Sequence, residues 1–292
     1  MPLEIVPLRI RFSYPTDHRP RGYSGSAWRG GFGHALKRLV CLFSKGACGN
    51  CPLATQCAYT TVFEPAIARP DAPREPAPPY TLYPVADDHG LWLNVTLFGE
   101  AARRHRTFVL QALRQAGELG IGDIHYRFEG IQSRHGDGWV NLEDHPMALS
   151  TPPAAPDGAI RLQLLTPLRF KYEGHLIRPQ SLTLPIWVNA LRRRLIRLAA
   201  SWGDAAAMRD QCAITVDGDW QQAELHWRDP ARYSSRQHTT MKMGGIVGHA
   251  TLSKMQVAQL WPLLWPGQWT HNGKLPTMGL GRFELTPREE TQ

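Results

Sequence analysis

The chain has 292 residues, enough for two ordinary domains, and its 42% hydrophobic content can fill both cores. It contains no stretch of about eighteen apolar residues, which excludes a membrane span. Residues 1–5 lack the charged start and apolar run of a secretory signal, so we expect a cytoplasmic protein. Its 33 Lys and Arg against 25 Asp and Glu give a net charge of +8, which favours a nucleic-acid partner but also fits an ordinary basic soluble protein.

The first elements are predicted from the spacing of apolar residues. Residues 6–12 alternate apolar and other side chains, as a strand does. A helix follows, whose apolar side consists of Trp28, Phe32, Ala35, Leu36 and Leu39. The opposite side carries Gly30, His34, Lys37 and Arg38, so we expect His34 to face solvent or a ligand. Glycines at 30, 31 and 33 weaken this helix, and close approach of an RNA backbone would compensate; the alternative is an ordinary solvated basic face.

Four of the five cysteines crowd into one segment. They are Cys41, Cys48, Cys51 and Cys57. The CxxC pair with two more thiolates at short range predicts a tetrahedral zinc site that pins a loop with little core. Reduced thiols packed as small apolar groups and an iron–sulfur cluster are the alternatives. Because four cysteines leave no open coordination position, we expect a structural zinc and no catalytic metal.

Proline-rich stretches at 70–79 and 150–158 read as connectors, and the second is the best domain boundary. We therefore expect an N-terminal domain at 1–150, with the cysteine cluster at 41–57, and a C-terminal domain at 158–292. Further strands are predicted at 91–97, 126–128, 160–164, 223–227 and 282–285. Residues 80–85 are the candidate for the second strand of the first half, and residues 241–247 are the candidate for the second strand of the second half. Further helices are predicted around 108–113, over 188–202, and at about 252–261, where Pro262 ends the helix. This order predicts an α+β protein of two tandem ferredoxin-like (RRM-like) βαββαβ domains with a cysteine-rich insertion.

A glycine-rich loop at 271–281 precedes the last predicted strand. Glycine permits positive φ and close approach of a ligand, and Lys274 among exposed amides would bind phosphate. No Ser or Thr follows Lys274, so the nucleotide P-loop spacing is absent. We therefore expect this loop to bind a polymeric phosphate, that is, nucleic acid.

Several segments form a characteristic succession along nearly the whole chain. They are residues 28–39 (WRGGFGHALKRL), the cysteine cluster ending in 57–65 (CAYTTVFEP), 165–169 (LTPLR), 232–237 (RYSSRQ), 243–248 (MGGIVG) and the glycine-rich loop. Together they resemble the CRISPR-associated precursor-crRNA-processing endoribonucleases of the RAMP superfamily. The resemblance implies two RRM-like folds, metal-independent cleavage of a CRISPR repeat RNA, and a glycine-rich loop that grips this RNA.

Such cleavage makes three chemical demands. A ribose 2′-hydroxyl must lose its proton to attack the adjacent phosphate, the leaving 5′-oxygen must gain one, and the negative charge must be stabilised. Histidine suits the first two roles because it titrates near neutral pH, and lysine or arginine suits the third. His34 is the leading base, since it lies at a family-like position beside Lys37 and Arg38. His18, in a basic loop, is the second candidate, and Tyr23 would either orient the hydroxyl or simply pack.

The expected partners are CRISPR repeat RNA, crRNA and other subunits of a CRISPR effector complex active in antiviral defence. The predicted RNA-binding residues are Gly273, Lys274, Gly279 and Gly281, supported by Arg29, Arg232, Arg236 and Lys242. Two alternatives remain: a noncatalytic RNA-binding subunit of a CRISPR ribonucleoprotein, and a zinc-stabilised scaffold that contacts only proteins. An endoribonuclease cleaves repeat RNA, whereas a noncatalytic subunit binds it without cleavage. A scaffold that contacts only proteins would not bind RNA specifically.

Overall fold

The computed structural model describes residues 1–15, 20, 22–43, 46–72, 75–142, 152–229 and 243–288. These residues fold as two compact units. The first comprises the described residues up to 142 together with Arg197–Ala205, and the second comprises 152–196 and the described residues from 206 onward. The segment 197–205, inside the range expected for the C-terminal domain, thus belongs to the first unit. No helix in the described part of the chain is long and apolar enough to cross a membrane.

The first unit is a ferredoxin-like βαββαβ fold. In chain order it contains β1 (Ile5–Ser13), α1 (Gly25–Val40), α2 (Ala58–Phe63), α3 (Pro65–Ala68), β2 (Tyr80–Ala86), β3 (Leu91–Phe98), α4 (Glu100–Arg104), α5 (Arg106–Leu119), β4 (Arg127–His135) and β5 (Gly138–Asn141). The antiparallel sheet has the order β2-β3-β1-β4-β5, so the four strands of the repeat are joined by β5 at one edge. The predicted second strand at 80–85 is confirmed.

The core of the first unit lies between this sheet and α1 with α5. The alternating apolar side chains of β1 face the core, and Trp28 and Phe32 of α1 are completely buried. The Trp28 ring lies 5.1 Å from the Phe12 ring, measured between centroids. Alternation in the strand and the apolar stripe of the helix are therefore confirmed as the two sides of one core.

Two glycines of α1 are explained by this packing rather than by a ligand. A Cβ atom on Gly31 would lie 2.5 Å from Cδ1 of Ile121, and a Cβ on Gly33 would lie 3.1 Å from the Phe63 ring. Larger side chains would push these neighbours away. Approach of an RNA backbone, one of the two explanations offered for the helix glycines, is not needed at these two positions, because protein neighbours occupy the space.

The second unit repeats the fold. In chain order it contains β6 (Ile160–Leu168), β7 (Lys171–Tyr172), β8 (His175–Leu176), α6 (Leu184–Trp202, whose last residues belong to the first unit), α7 (Ala205–Gln211), β9 (Gln222–Arg228), β10 (Gly245–Leu252), α8 (Lys254–Thr270) and β11 (Phe283–Pro287). The antiparallel sheet has the order β11-β6-β10-β9, and β7 pairs with β8 as a separate hairpin. Its second strand is β9, so the candidate at 241–247 is wrong: residues 245–247 begin the third strand, and 241 and 242 lie outside the described residues.

Helix α8 does not end at Pro262, as its sequence predicts, but continues through Pro266 to Thr270. Proline at 266 removes the N–H that would bond the Pro262 carbonyl. The side-chain amide of Gln211 supplies that bond instead, with Nε2 donating to the Pro262 oxygen over 2.7 Å. This tertiary partner satisfies the freed carbonyl and lets the helix continue.

Candidate functional site

The outer side of α1 carries the predicted catalytic histidine. Gly30, His34 and Arg38 follow one another at four-residue intervals and are all exposed, opposite the buried side of the helix. Apart from the nearby backbone of α1 itself, no atom of the described residues lies within 4 Å of a Cβ placed on Gly30. The backbone at Gly30, one helical turn before His34, is therefore open to a ligand. The exposed guanidinium of Arg38 lies one turn after His34.

Helix α2 fixes two further cations beside this row. The Tyr59 and Phe63 rings stack with centroids 5.4 Å apart and planes inclined by 16°. The Arg29 guanidinium lies 5.6 Å from the Phe63 ring, and Nζ of Lys37 lies 5.1 Å from the Tyr59 ring. Burial, together with the carboxylate of Glu64, raises the pKa of Tyr59, which stays a neutral ring under Lys37. Lys37 and Arg38, three and four residues after His34, thus place positive charge next to it on the helix surface, and Arg29 lies against Phe63 farther towards the helix start.

Tyr23 precedes the first residue of α1, whereas His34 lies in the second half of the helix. The helix begins at Gly25, nine residues before His34, so about 14 Å of helix axis separates these two positions. Burial raises the pKa of Tyr23, which keeps its phenol protonated. Tyr23 is placed to act near the start of α1 rather than at His34. The second histidine candidate, His18, lies outside the described residues.

The glycine-rich loop of the second unit is held by its own hydrogen bonds. The N–H of Lys274 donates to the Arg169 carbonyl over 2.8 Å, and the N–H of Gly281 donates to the Pro167 carbonyl over 3.1 Å. Gly279 N–H donates within the loop, and both Gly279 and Gly281 are buried. These amides do not point freely at a phosphate, so the predicted phosphate contact of this loop depends on the exposed side chain of Lys274.

Close backbone contact explains two of the loop's glycines. A Cβ on Gly273 would lie 2.5 Å from the Arg169 carbonyl oxygen, and a Cβ on Gly281 would lie 1.7 Å from the Asn272 carbonyl oxygen. Both residues also have positive φ, at 83° and 70°. The loop therefore has a rigid shape, set from within the second unit. The other predicted RNA-binding residues are Arg232, Arg236 and Lys242, which lie outside the described residues.

A short, exposed hairpin near this loop was not predicted from the sequence. Strands β7 and β8 are joined by Glu173 and Gly174, both with positive φ, and expose Lys171 and His175. The hairpin follows directly after Arg169, whose carbonyl accepts from Lys274. Two-residue strands carry too little periodicity to be recognised, and only the turn-forming glycine signalled the hairpin.

The buried histidine of this loop predicts acid sensitivity of the second unit. His271 is 3% exposed, and its Nδ1 donates to the Leu280 carbonyl over 3.2 Å. Burial, with the nearby cations Arg282 and Arg194, lowers the pKa of His271 well below its usual value. The unfolded chain, but not the folded one, then takes up this proton below about pH 6.5. Above that pH we expect the contribution of His271 to the free energy of unfolding to be complete. As the pH falls below it, this contribution should decrease by up to about 1.4 kcal/mol per pH unit.

Urea unfolding of wild type and His271→Asn, measured between about pH 7.5 and 5, checks this prediction. Asparagine tolerates the φ of 57° at this position. The difference in unfolding free energy between the two proteins should shrink as the pH falls, because only wild type carries the histidine. A difference independent of pH would show that His271 does not cause acid sensitivity.

The four clustered cysteines line one cavity of about 500 Å³ in the first unit. Each is half-buried, whereas the fifth, Cys212, is buried in the second unit. Among the described residues, no three His, Cys, Asp or Glu side chains form a group that could hold a metal ion. The structural zinc therefore stays a prediction.

Two family models match the chain in succession. Residues 3–145 match the AF_1859_N N-terminal domain, and residues 162–283 match the CRISPR-associated endoribonuclease Cas6. Over most of its length, the second unit is thus similar to the Cas6 endoribonucleases. A relative from Archaeoglobus fulgidus, an uncharacterized protein, is 24% identical, and the match covers 97% of this chain and 98% of the relative.

The whole chain shares its fold with solved Cas6 structures. A Cas6 product complex is 15% identical with a TM-score of 0.54, covering 97% of this chain and 99% of that chain. Cas6 of Thermus thermophilus is 14% identical with a TM-score of 0.52, again covering 97% of this chain and 99% of that one. The tandem ferredoxin-like fold predicted from the sequence is thereby confirmed.

Proposed function

We propose that this protein is a RAMP endoribonuclease, independent of metal, that cleaves CRISPR repeat RNA in precursor crRNA, giving mature crRNA. The observation that carries the proposal is the position of His34 on the outer side of α1, between the open backbone at Gly30 and the guanidinium of Arg38. An RNA strand laid along this row from Gly30 to Arg38 brings a phosphate between the His34 imidazole and the Arg38 guanidinium.

The chemistry assigns a role to each group. The His34 imidazole takes the proton of a ribose 2′-hydroxyl, and the resulting oxygen forms a bond to the adjacent phosphorus. The bond from phosphorus to the 5′-oxygen breaks, leaving a 2′,3′-cyclic phosphate and a 5′-oxygen that takes up a proton. Arg38 and Lys37 stabilise the negative charge of the crowded phosphate. No step requires a metal ion, because the attacking oxygen belongs to the RNA itself.

Related proteins support the RNA substrate and further partners. Solved neighbours with this fold include Cas6 product complexes and a Cas6 substrate-mimic complex. Another neighbour is a Cas6-RT-Cas1–Cas2 complex with a TM-score of 0.56, in which the match covers 46% of that chain. We infer that this chain also binds crRNA and works alongside other CRISPR proteins.

The test is a denaturing-gel assay of the purified protein with repeat RNA in EDTA. Cleavage of all-ribose RNA, blocked by a single deoxyribose at the scissile nucleotide, is expected if the 2′-hydroxyl is the nucleophile. A deoxyribose one nucleotide away serves as the matched control and should leave cleavage intact. Binding without cleavage would instead favour a noncatalytic RNA-binding subunit, and cleavage that needs added Mg²⁺ would contradict metal independence.

The Gly30→Ala variant tests whether RNA contacts the backbone at Gly30. A Cβ at this exposed helix position meets nothing within 4 Å, so alanine should raise the free energy of unfolding by roughly 0.5–1 kcal/mol. If RNA approaches the backbone here, the same change should weaken RNA binding and cleavage. Urea unfolding and gel-shift titration measure the two effects. A variant that is more stable and equally active would show that RNA does not contact Gly30.

Lys274→Ala tests the contribution of the glycine-rich loop. Its side chain is exposed, and we expect it to contact a phosphate, so removing it should weaken binding of any RNA sequence. The slope of log Kd against log salt should fall by about 0.7, the value for one contact to a single strand. Lys254, exposed and paired with Asp157, is the matched control. An equal loss for Lys254→Ala would indicate general charge attraction instead of a contact at the loop.

A further inference from the structure

We propose that Cys41, Cys48, Cys51 and Cys57 bind one structural zinc ion that closes the segment 41–57 of the first unit. All four line the same cavity. Four cysteines form one kind of closed tetrahedral zinc site, and two residues between a pair of ligands, as between Cys48 and Cys51, is a typical spacing in such sites. The inference stands apart from the proposed function, because zinc is measured without RNA.

The backbone holds these cysteines at three fixed points. Cys41 directly follows α1, and its N–H donates to the Lys37 carbonyl over 2.9 Å. Cys57 directly precedes α2. Between them, Cys48–Asn50 forms a single turn of 3-10 helix that is closed by the Cys51 N–H donating to the Cys48 carbonyl over 3.1 Å. One ion bound to all four sulfurs would join the ends of two helices to this turn.

The segment has almost no hydrophobic core to hold it. Of its described residues only Ala54 is buried, whereas Leu42, Phe43 and Leu53 are 81%, 50% and 46% exposed. Burial of apolar area therefore contributes little to its stability. A metal crosslink supplies what the core lacks, since zinc binding is folding energy for loops of this kind. The sulfurs do not converge in the described structure, so binding requires the segment to contract around the ion.

The test measures metal in the full-length protein after purification under reducing conditions. We expect about one zinc per chain by elemental analysis. Replacement by Co²⁺ should give the visible absorption of tetrahedral cobalt thiolate. In Cys51→Ser the zinc content should fall close to zero, whereas Cys212→Ser, which removes the cysteine outside the cluster, should keep it. Cys51→His should retain zinc, because three cysteines and one histidine also form structural zinc sites.

Each remaining outcome overturns the proposal. Wild type that contains no zinc and takes up no Co²⁺ would show that the thiols are simply free. Equal amounts of iron and sulfide with broad visible absorption would replace the zinc by an iron–sulfur cluster. Full zinc in Cys51→Ser would place the ion elsewhere. If circular dichroism shows that Cys51→Ser is unfolded, the test is Co²⁺ uptake by chelator-treated wild type. One tetrahedral Co²⁺ thiolate site per chain would support the proposal, and no uptake would contradict it.

Discussion

Replacing His34 by alanine is expected to slow cleavage of repeat RNA by roughly 10²–10⁴-fold, the range for losing a general base. The side chain is exposed on the outer side of α1, so its removal leaves the core of the first unit unchanged. The affinity for RNA should fall far less than the rate, because the neighbouring cations Arg29, Lys37 and Arg38 remain. Single-turnover cleavage in EDTA gives the rate, and titration with uncleavable deoxyribose-containing RNA gives the affinity.

Two further variants make this result specific. His89→Ala removes another exposed histidine of the same unit, in the turn between β2 and β3, and should leave the rate unchanged. Arg38→Ala removes the cation one turn from His34 and should slow cleavage while also weakening binding. A His34→Ala rate within about threefold of wild type would exclude His34 as the base. His18 would then become the leading candidate.

The sequence predicts those parts of the fold that follow from local periodicity. Alternation over 6–12 and the stripe led by Trp28 correctly separate the two sides of β1 and α1, and the same helical spacing correctly leaves His34 exposed. These patterns survive because each side chain's burial is fixed by its own position in a strand or helix. The order of elements then leads to two ferredoxin-like units.

Features that depend on distant partners could not be predicted in this way. The continuation of α8 depends on Gln211, which satisfies the carbonyl freed by Pro266. Gly31 looks like a weakness of α1 until Ile121, ninety residues along the chain, is found against it. The glycine-rich loop likewise looks like a row of open amides, although these bond within the unit. In each case a tertiary contact decides what the local sequence leaves open.

Gly281→Ala is expected to lower the free energy of unfolding of the second unit by roughly 3 kcal/mol or more, among the larger effects of a single substitution. A Cβ here would lie 1.7 Å from the Asn272 carbonyl oxygen, which is backbone and cannot swing aside. The N–H of Asn272 donates to the Gly281 carbonyl over 2.9 Å, and this hydrogen bond closes the loop. The clash would force the backbone at 272 away from the backbone at 281. Alanine also meets strain at a φ of 70°.

The Gly174→Ala variant measures the cost of placing alanine at a positive φ where the new Cβ meets no steric clash. Gly174 has a φ of 82° in the β7–β8 turn, but nothing lies within 4 Å of its Cβ position. It should therefore lose only about 1–2 kcal/mol, the cost of the backbone conformation alone. Urea unfolding of both variants measures the difference, and RNA titration should show weaker binding for Gly281→Ala because the loop no longer holds Lys274 in place. Equal losses of stability in the two variants would mean that the loop relaxes around the new methyl group, and that close backbone contact is not what requires glycine at 281.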